Sequence, residues 1–201
     1  ILRVEDLQKY YGNRGSVTRA LDHIGFCVEK GEFLGIMGAS GSGKTTLPNC
    51  ISTLDTVTSG RIYVEGEDIT ALRGAALCAF RGQKLGFIFQ DFNLLDTFTL
   101  EDNIYLPLVL ASKSYSEMST SLAPIALRLG ITELLKKYPY EVSGGQKQRL
   151  SIARAIAKDP EIFIFDDSFS ALDFKTDSQL RKALKEYTKD ATTVIVAQRI
   201  S

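Results

Sequence analysis

The sequence of 201 residues predicts an α/β fold built on a mostly parallel sheet. Three short runs, at Phe33–Met37, Ile162–Phe165 and Thr193–Ala197, are almost continuously apolar, which is typical of strands buried on both faces of a parallel sheet. Runs rich in β-branched and aromatic residues at Arg61–Val64 and Leu85–Phe89 predict further strands. Helical patterns alternate with these runs, and such alternation indicates an α/β core.

Two helices are predicted in the second half of the chain from apolar residues that recur with a period of 3.6. Ser178–Lys189 and residues 147–157 each place their apolar residues on one face and their charges opposite. The predicted buried faces are Leu180, Leu184 and Tyr187 in the later helix, and Leu150, Ala153, Ile156 and Ala157 in the earlier one.

Between about Asp91 and Val142 the character of the sequence changes. Strand-like runs disappear, and apolar residues recur at helical spacing in Ser121–Leu129 and Ile131–Leu135. The polar stretch Ser112–Thr120 is predicted to be a loop. We therefore expect a single domain over 1–201, in which a helical subdomain at 93–147 is inserted into an α/β core of residues 1–92 and 148–201.

The most specific local pattern follows the first apolar run and reads G-x-x-x-x-G-K-[ST]. Glycines let the backbone wrap around phosphates, Lys44 can reach the β- and γ-phosphates, and the Thr45 hydroxyl can hold Mg²⁺. The alternative is a glycine-rich turn with an exposed lysine. The pattern predicts nucleotide binding by residues Gly38, Ala39, Ser40, Gly41, Ser42, Gly43, Lys44, Thr45 and Thr46, the last two opening a helix.

Two carboxylates end the apolar run at Ile162–Phe165. Asp166 is the predicted Mg²⁺ partner across the sheet from the phosphate loop, although apolar strands often end in Asp without any such role. Asp167 follows directly and could orient or deprotonate an attacking water.

A second predicted anion site lies at Ser143-Gly144-Gly145-Gln146. The spacing S-x-x-Q predicts a capping box at the start of a helix. Two glycines before a helix N-terminus can also receive an anion, so the segment either only starts a helix or contacts a nucleotide held by another molecule.

The order of these motifs resembles ATP-binding-cassette (ABC) proteins over nearly the whole chain. Val142–Gln146 is similar to the signature motif of that family, and Ser170-Ala171-Leu172-Asp173 follows the Asp166 strand as expected. The resemblance implies a P-loop NTPase core with a mostly parallel sheet, an antiparallel β extension and an inserted helical subdomain. It also implies head-to-tail dimers that bind ATP and Mg²⁺ between the phosphate loop of one cassette and the signature of the other.

The resemblance assigns roles to further residues. Tyr11 resembles the aromatic residue that stacks on adenine, and Tyr10 is the near alternative for that role. The other alternative is that Tyr11 is an ordinary aromatic residue at a strand edge. Gln90 resembles the residue that joins core and helical lobe and approaches Mg²⁺ and the attacking water. Asp91–Leu100 would face a transmembrane permease subunit, and Asp173 would lie in the loop that crosses the dimer interface.

Three positions depart from the family pattern. Asp167 replaces the usual Glu, which withdraws the carboxylate by about 1.5 Å, and Gln198 replaces a His and cannot become a cation near neutral pH. Both residues resemble the degenerate half of heterodimeric multidrug exporters and predict slow hydrolysis. A helix is expected to begin near Gly43 or Lys44, and only its first four N–H groups lack a partner within the helix. Pro48 lies at or just beyond that limit, so Pro48→Leu is predicted to raise thermal stability.

The N-terminal part resembles the ATPase subunits of lipoprotein-release, macrolide-export and bacitracin-resistance transporters instead. The apparent seam between the two resemblances lies around Gln148–Ser151. A natural or engineered mosaic of two subfamilies is therefore one hypothesis.

Composition narrows the class of function. The 24 basic and 24 acidic residues cancel, which argues against a nucleic-acid partner. No apolar run is long enough to span a membrane, so we expect recruitment to the cytoplasmic face of the membrane by a partner. Three widely spaced cysteines are expected to be buried, reduced thiols. The predicted function is the ATP-hydrolysing subunit of a transporter; the alternatives are a soluble ABC-type ATPase or a non-catalytic, ATP-gated dimerisation module.

Overall fold

The computed structural model describes residues 1–13, 16–39, 41–166, 168, 180 and 184–197. Two four-stranded sheets form the framework. The first sheet is antiparallel, with order β2-β1-β4-β5. Its strands are β1 (Leu2–Asn13), β2 (Ser16–Val28), β4 (Ser59–Val64) and β5 (Glu67–Asp68).

The second sheet is parallel, with order β3-β8-β7-β6. Its strands are β3 (Phe33–Met37), β6 (Leu85–Ile88), β7 (Ile162–Asp166) and β8 (Thr192–Ala197). All five strands predicted from the sequence are confirmed to within two residues at each end. The long β1–β2 hairpin, which supplies most of the antiparallel extension, was not predicted from any local run.

Strands β6, β7 and β8 of the parallel sheet are largely buried on both faces, which explains their apolar runs. The edge strand β3 differs from the prediction, because one of its faces is open and leaves Phe33 61% and Met37 57% exposed. Along β7, Phe163 and Phe165 pack into one hydrophobic cluster, while Ile162 and Ile164 pack into a second cluster on the other side. The first cluster joins the sheet to the later helices, and the second joins it to the antiparallel sheet. Side chains on a strand alternate between faces, so a strand with two buried faces is mostly apolar; the exception in β7 is Asp166 at its carboxyl end, which is also buried.

The helices are α1 (Thr46–Ile51), α2 (Gly74–Gln83), α3 (Leu100–Leu110), α4 (Tyr115–Leu129) and α5 (Gly144–Ala157). Helices α3 and α4 pack against α5. No strand occurs among the described residues from 91 to 142. The buried face predicted for residues 147–157 is confirmed. The later helix is described only in part, at 180 and 184–187, where Leu180 and Leu184 are buried as predicted.

The loop predicted at Ser112–Thr120 is wrong beyond Ser114. Helix α4 begins at Tyr115, because Ser114 and Glu117 form a complete capping box across its first turn. Ile131–Leu135, expected to be helical, contains a single 3-10 turn at Thr132–Leu134.

Pro48 shortens the helix after the phosphate loop. The N–H groups of Leu47 and Asn49 donate to the carbonyls of Gly43 and Thr45, four residues earlier. Pro48 has no N–H to make the intervening bond to Lys44. The continuous ladder therefore begins only at Thr46 rather than near Gly43 or Lys44 as expected.

Two of the expected buried thiols are exposed. Cys50 is buried in α1, whereas Cys27 and Cys78 are exposed. Within the described residues, no helix combines the length and the apolar character needed to cross a bilayer.

Candidate functional site

The carboxyl ends of the four parallel strands bring the start of the phosphate loop, Asp166 and the segment that leads to Gln90 to one edge of the sheet. Strand register places Met37 beside Ala197, Asp166 beside Val196 and Ile88 beside Phe165. The phosphate loop follows Met37, and Gln90, which is exposed, lies two residues beyond Ile88. The predicted site residues Ser40, Asp167, Asp173 and Gln198 lie outside the described residues.

The phosphate loop is tightly folded around its glycines. Lys44 Nζ donates to the carbonyl of Ala39, and the Ser42 N–H donates to the same oxygen at 3.2 Å. Gly43 has φ of 86°, and a Cβ there would lie 2.1 Å from the Ala20 carbonyl of β2. A side chain at Gly43 would therefore push the loop away from the hairpin.

Thr45 and Asp166 meet although 121 residues separate them in sequence. The Thr45 hydroxyl donates to Asp166 Oδ1 at 3.4 Å, and Asp166 is only 6% exposed. A hydroxyl and a carboxylate next to a lysine form the kind of hard-oxygen donor set that Mg²⁺ shares with phosphate oxygens. These residues fit the ion that the motif implies.

Tyr11 lies on β1 beside the start of α1, and 42% of it is exposed. Its hydroxyl donates to Asp55 Oδ2 at 2.6 Å. Burial, followed by the hydrogen bond to Asp55, raises the pKa of Tyr11, so the hydroxyl stays protonated. Tyr10 bonds elsewhere: its hydroxyl donates to Gln8 at 2.5 Å and to Asp22 at 3.1 Å.

The loop after Gln90 is held by the signature helix. Phe92 and Asn93 have φ of 62° and 46°, and such a conformation is strained for a bulky residue. Arg154 of α5 donates to both of their carbonyls, at 2.8 Å and 2.7 Å. Arg154 thereby links the helix that starts at the signature to the segment that starts at Gln90.

The signature segment forms the predicted capping box. Ser143 is the N-cap of α5 and accepts from the Gln146 N–H at 3.4 Å, while Gln146 Oε1 accepts from the Ser143 N–H at 2.8 Å. Ser143 and Gly144 are exposed, and a Cβ at Gly144 would meet no atom within 4 Å. This surface can therefore receive a second molecule.

The predicted mosaic seam contains unpaired polar atoms. Gln148 Nε2 and Arg149 Nε are the buried side-chain nitrogens that lack a hydrogen-bond partner within the described ranges. The mosaic hypothesis stays a prediction, because an unpaired atom is a packing cost and not a record of origin.

Sequence reasoning missed Lys9, Asp55 and Arg154. A signal existed for Arg154, which is a single cation within the apolar stretch Ser151–Ala157. No local signal existed for Lys9 and Asp55, because they become neighbours only through contacts 46 residues apart.

The comparisons with known proteins agree along the chain. The family model described as ABC transporter matches residues 21–170. The bacitracin export ATP-binding protein BceA of Halalkalibacterium halodurans is 44% identical over 196 residues, covering 98% of this chain and 78% of its own. The ABC transporter ATP-binding protein YxdL of Bacillus subtilis is 46% identical over 191 residues, covering 94% and 74%.

The solved dimer of the ATP-binding cassette MJ0796, bound to ADP and Pi, superimposes with a TM-score of 0.93. It is 32% identical and covers 99% of this chain and 88% of its own. The expected resemblance to bacitracin-export subunits and the expected α/β fold are confirmed.

Proposed function

The chain belongs to the ATP-binding subunits of ABC transporters, and from that premise we propose that it binds Mg·ATP in half of a shared site and hydrolyses it slowly. The observation that carries the proposal is the meeting of Thr45 and Asp166 beside Lys44, at the strand edge from which Gln90 also extends. We keep the division into a core (1–92 and 148–201) and a helical subdomain (93–147) as part of the same proposal.

Within this site each described residue has a separate role. The backbone N–H groups of the loop and Lys44 bind the phosphates, while Thr45 and Asp166 hold Mg²⁺, which supplies charge neutralisation for phosphoryl transfer. Gln90 reaches the same edge from β6 and orients the attacking water. Tyr11 presents its ring to the adenine base.

Slow hydrolysis follows from two residues that come directly after residues of this edge in the sequence. Asp167 directly follows Asp166, and Gln198 directly follows Ala197, the partner of Met37 in the sheet. A carboxylate withdrawn by about one C–C bond misplaces the water, and misplacement of about 1 Å can cost about 10²-fold in rate. Binding is unaffected, because the phosphate loop is complete.

Steady-state ATP turnover tests this separation. We expect the double variant Asp167→Glu with Gln198→His to turn over ATP about 10²-fold faster than the wild-type chain, with an unchanged dissociation constant for ATP. A Lys44→Ala variant of the same background provides the inactive control. Equal turnover by the wild type and the double variant would contradict the proposal.

A second cassette completes the site. Ser143–Gln146 is the proposed second anion site, separate in sequence from the phosphate loop, and Ser143 and Gly144 are exposed there. The matching surface of a second chain would close over the bound ATP, head to tail. The dimeric MJ0796 cassette structures support a pairing of two cassettes. Asp173 would lie at that interface.

A transmembrane permease is the proposed partner of Asp91–Leu100, which places the chain at the cytoplasmic face of the membrane. Leu95 and Phe98 of this segment are each 43% exposed, and Leu54 is exposed nearby. A cavity of about 250 Å³ meets this segment at Asn93, and both apolar side chains and three cations line it. Its lining includes Leu54, Phe87, Phe89, Arg81, Arg154 and Lys158.

This groove favours the transporter subunit over a soluble ABC-type ATPase. Exposed aromatic and aliphatic side chains are suited to a partner helix, which a freely soluble ABC-type ATPase does not need. An apolar-to-polar change provides the test: Phe98→Ser should abolish copurification with the permease while ATP binding stays intact. Undiminished copurification of the variant would exclude Phe98 from the contact, and no copurification of the wild-type chain would argue for the soluble alternative.

A further inference from the structure

Three residues form a closed cluster around the proposed adenine platform, and we name it the Tyr11 anchor: Lys9, Tyr11 and Asp55. Asp55 uses both carboxylate oxygens. Oδ1 accepts from Lys9 Nζ at 2.6 Å, and Oδ2 accepts from the Tyr11 hydroxyl at 2.6 Å. Lys9 Nζ also lies 4.8 Å from the centroid of the Tyr11 ring, within cation–π range.

The anchor contains a charge that is expensive to bury. Lys9 is only 7% exposed, and its ammonium also donates to the Thr56 carbonyl at 2.6 Å. Burial raises the pKa of Asp55, but hydrogen bonds from Lys9, Tyr11 and the Thr56 N–H outweigh it and hold that pKa below its ordinary value. A buried ion pair seldom stabilises a protein more than apolar packing would, so stability alone does not explain the Lys9–Asp55 pair.

Asp55 is also tied to the helix that follows the phosphate loop. Its N–H donates to the carbonyl of Asn49 at 3.0 Å, and Asn49 belongs to α1. The same residue therefore contacts the Tyr11 hydroxyl through its side chain and the phosphate-loop helix through its backbone.

We propose that Asp55, charge-balanced by Lys9, is a positioning residue that fixes the Tyr11 ring at a set place relative to the phosphate loop. One face of the ring is covered by Lys9 and its hydroxyl is held by Asp55, so the exposed remainder of the ring is presented to the base in a single orientation. The inference rests on the proposed role of Tyr11 in stacking on adenine. A ring held in place before binding loses less conformational entropy when the base arrives.

The competing explanation is that the anchor only fastens the β1–β2 hairpin to α1. Such a role would change stability without discriminating between ligands. A ligand that has phosphates but no base separates the two explanations.

The test measures dissociation constants for Mg·ATP and for Mg·tripolyphosphate by calorimetry. Tyr11→Phe removes only the hydroxyl that Asp55 holds and leaves the ring, so the variant should fold. We expect its affinity for ATP to fall about threefold to tenfold, while its affinity for tripolyphosphate stays within about twofold of the wild type. Asp55→Asn in the Tyr11→Phe background, which keeps a hydrogen-bond acceptor for Lys9, should add no further loss for ATP, because the link is already cut.

Tyr63→Phe is the matched control. The Tyr63 ring also lies against a cation, Arg3, at 4.4 Å, and its hydroxyl also takes part in a side-chain hydrogen bond. Loss of that hydroxyl should leave both affinities unchanged.

Tyr11→Ala separates failure of this inference from failure of the proposed function. If Tyr11→Ala weakens ATP binding about tenfold while Tyr11→Phe binds as the wild type does, the ring stacks but the anchor is irrelevant, and the inference is overturned. If Tyr11→Ala binds ATP as the wild type does, Tyr11 is not the adenine platform, and that part of the proposed function is wrong. Equal losses for both ligands in Tyr11→Phe would favour the purely structural role.

Discussion

Cys50 shows how one side chain is protected by its place in the fold. Its thiol is buried in α1, where burial first and the negative charge of Asp55 second raise its pKa to about 11, against a smaller opposing effect of Lys9. The thiolate is the reactive form of cysteine, so this residue is inert at neutral pH. Cys27 and Cys78 are exposed and have no such protection.

A thiol-labelling experiment checks this difference. At pH 7.5 we expect two thiols to react quickly with a maleimide or a disulfide reagent, and Cys50 to react only after denaturant is added. The Cys27→Ser/Cys78→Ser variant should show no fast reaction at all. Three fast thiols in the native wild-type protein would show that Cys50 is reachable.

Among the described residues, proline lies within three α-helices, at Pro48 in α1, Pro107 in α3 and Pro124 in α4, and Pro48 and Pro124 differ in their distance from the helix start. Pro48 removes a single bond at the first turn of α1, and it is buried. Pro124 lies within α4, ten residues into a helix of 15, and it is exposed. Because proline both lacks an N–H and crowds the preceding turn, its cost grows with distance from the helix start.

Pro48→Leu should restore the missing bond to the Lys44 carbonyl. We expect a gain of about 1 kcal/mol in the free energy of unfolding, or an increase of about 2–4 °C in Tm for a chain of this size. Differential scanning calorimetry measures it. An unchanged Tm would mean that fitting the larger leucine into the buried site costs as much as the bond contributes.

Pro124→Ala should stabilise the protein more than Pro48→Leu does. The site is exposed, so no packing is disturbed, and the expected gain is about 1–3 kcal/mol in the free energy of unfolding. Urea denaturation of the two single variants and of their combination checks the order and the additivity. A smaller gain at Pro124 than at Pro48 would contradict the argument from helix position.

The elements that the sequence predicts well are those with a regular period or a fixed motif. The parallel strands are continuous apolar runs, and the phosphate loop and the capping box at Ser143 are local patterns. The sequence does not predict the β1–β2 hairpin, because the buried positions of β1 do not keep a period of two. These positions are Leu2, Val4, Leu7 and Lys9. Register shifts between Val4 and Leu7, and again on each side of Lys9, break the alternation, and a lysine occupies an inward position.

The candidate site likewise contains one contact that the sequence predicts and another that it does not. Thr45 and Asp166 could be paired from motifs alone, since each ends or follows a strand of one parallel sheet. The Tyr11–Asp55 contact joins residues 44 apart in sequence through a loop that has no pattern of its own. Such contacts depend on tertiary packing and become visible only in the structure.

At the scale of the whole molecule, the fold leaves the two proposed nucleotide-contacting surfaces on different elements. The phosphate loop lies at the edge of the parallel sheet, and Ser143 lies at the start of α5 in the helical lobe. Neither surface encloses a nucleotide by itself, which is why the proposed function requires a second copy or a related chain.

Ser143→Arg should block that association. With Mg-free ATP, light scattering should give the wild-type chain twice its monomer mass of 22.2 kDa, and the variant the monomer mass. Ser114→Arg is the matched control, because it removes an equivalent exposed capping box from α4 and should still dimerise. Loss of dimerisation in both variants would indicate a general helix-capping effect, and dimerisation of both would exclude Ser143 from the interface.

Helix α5 connects the signature segment to the loop that follows Gln90. It is 14 residues long, or about 21 Å, and begins at the signature. In its last turn, Arg154 donates hydrogen bonds to the carbonyls of Phe92 and Asn93. In the proposed dimer its first turn touches the ATP held by the other cassette, while its last turn holds the loop that faces the permease. The conformation of each permease-facing loop would therefore depend on whether the neighbouring cassette, rather than its own, has bound nucleotide.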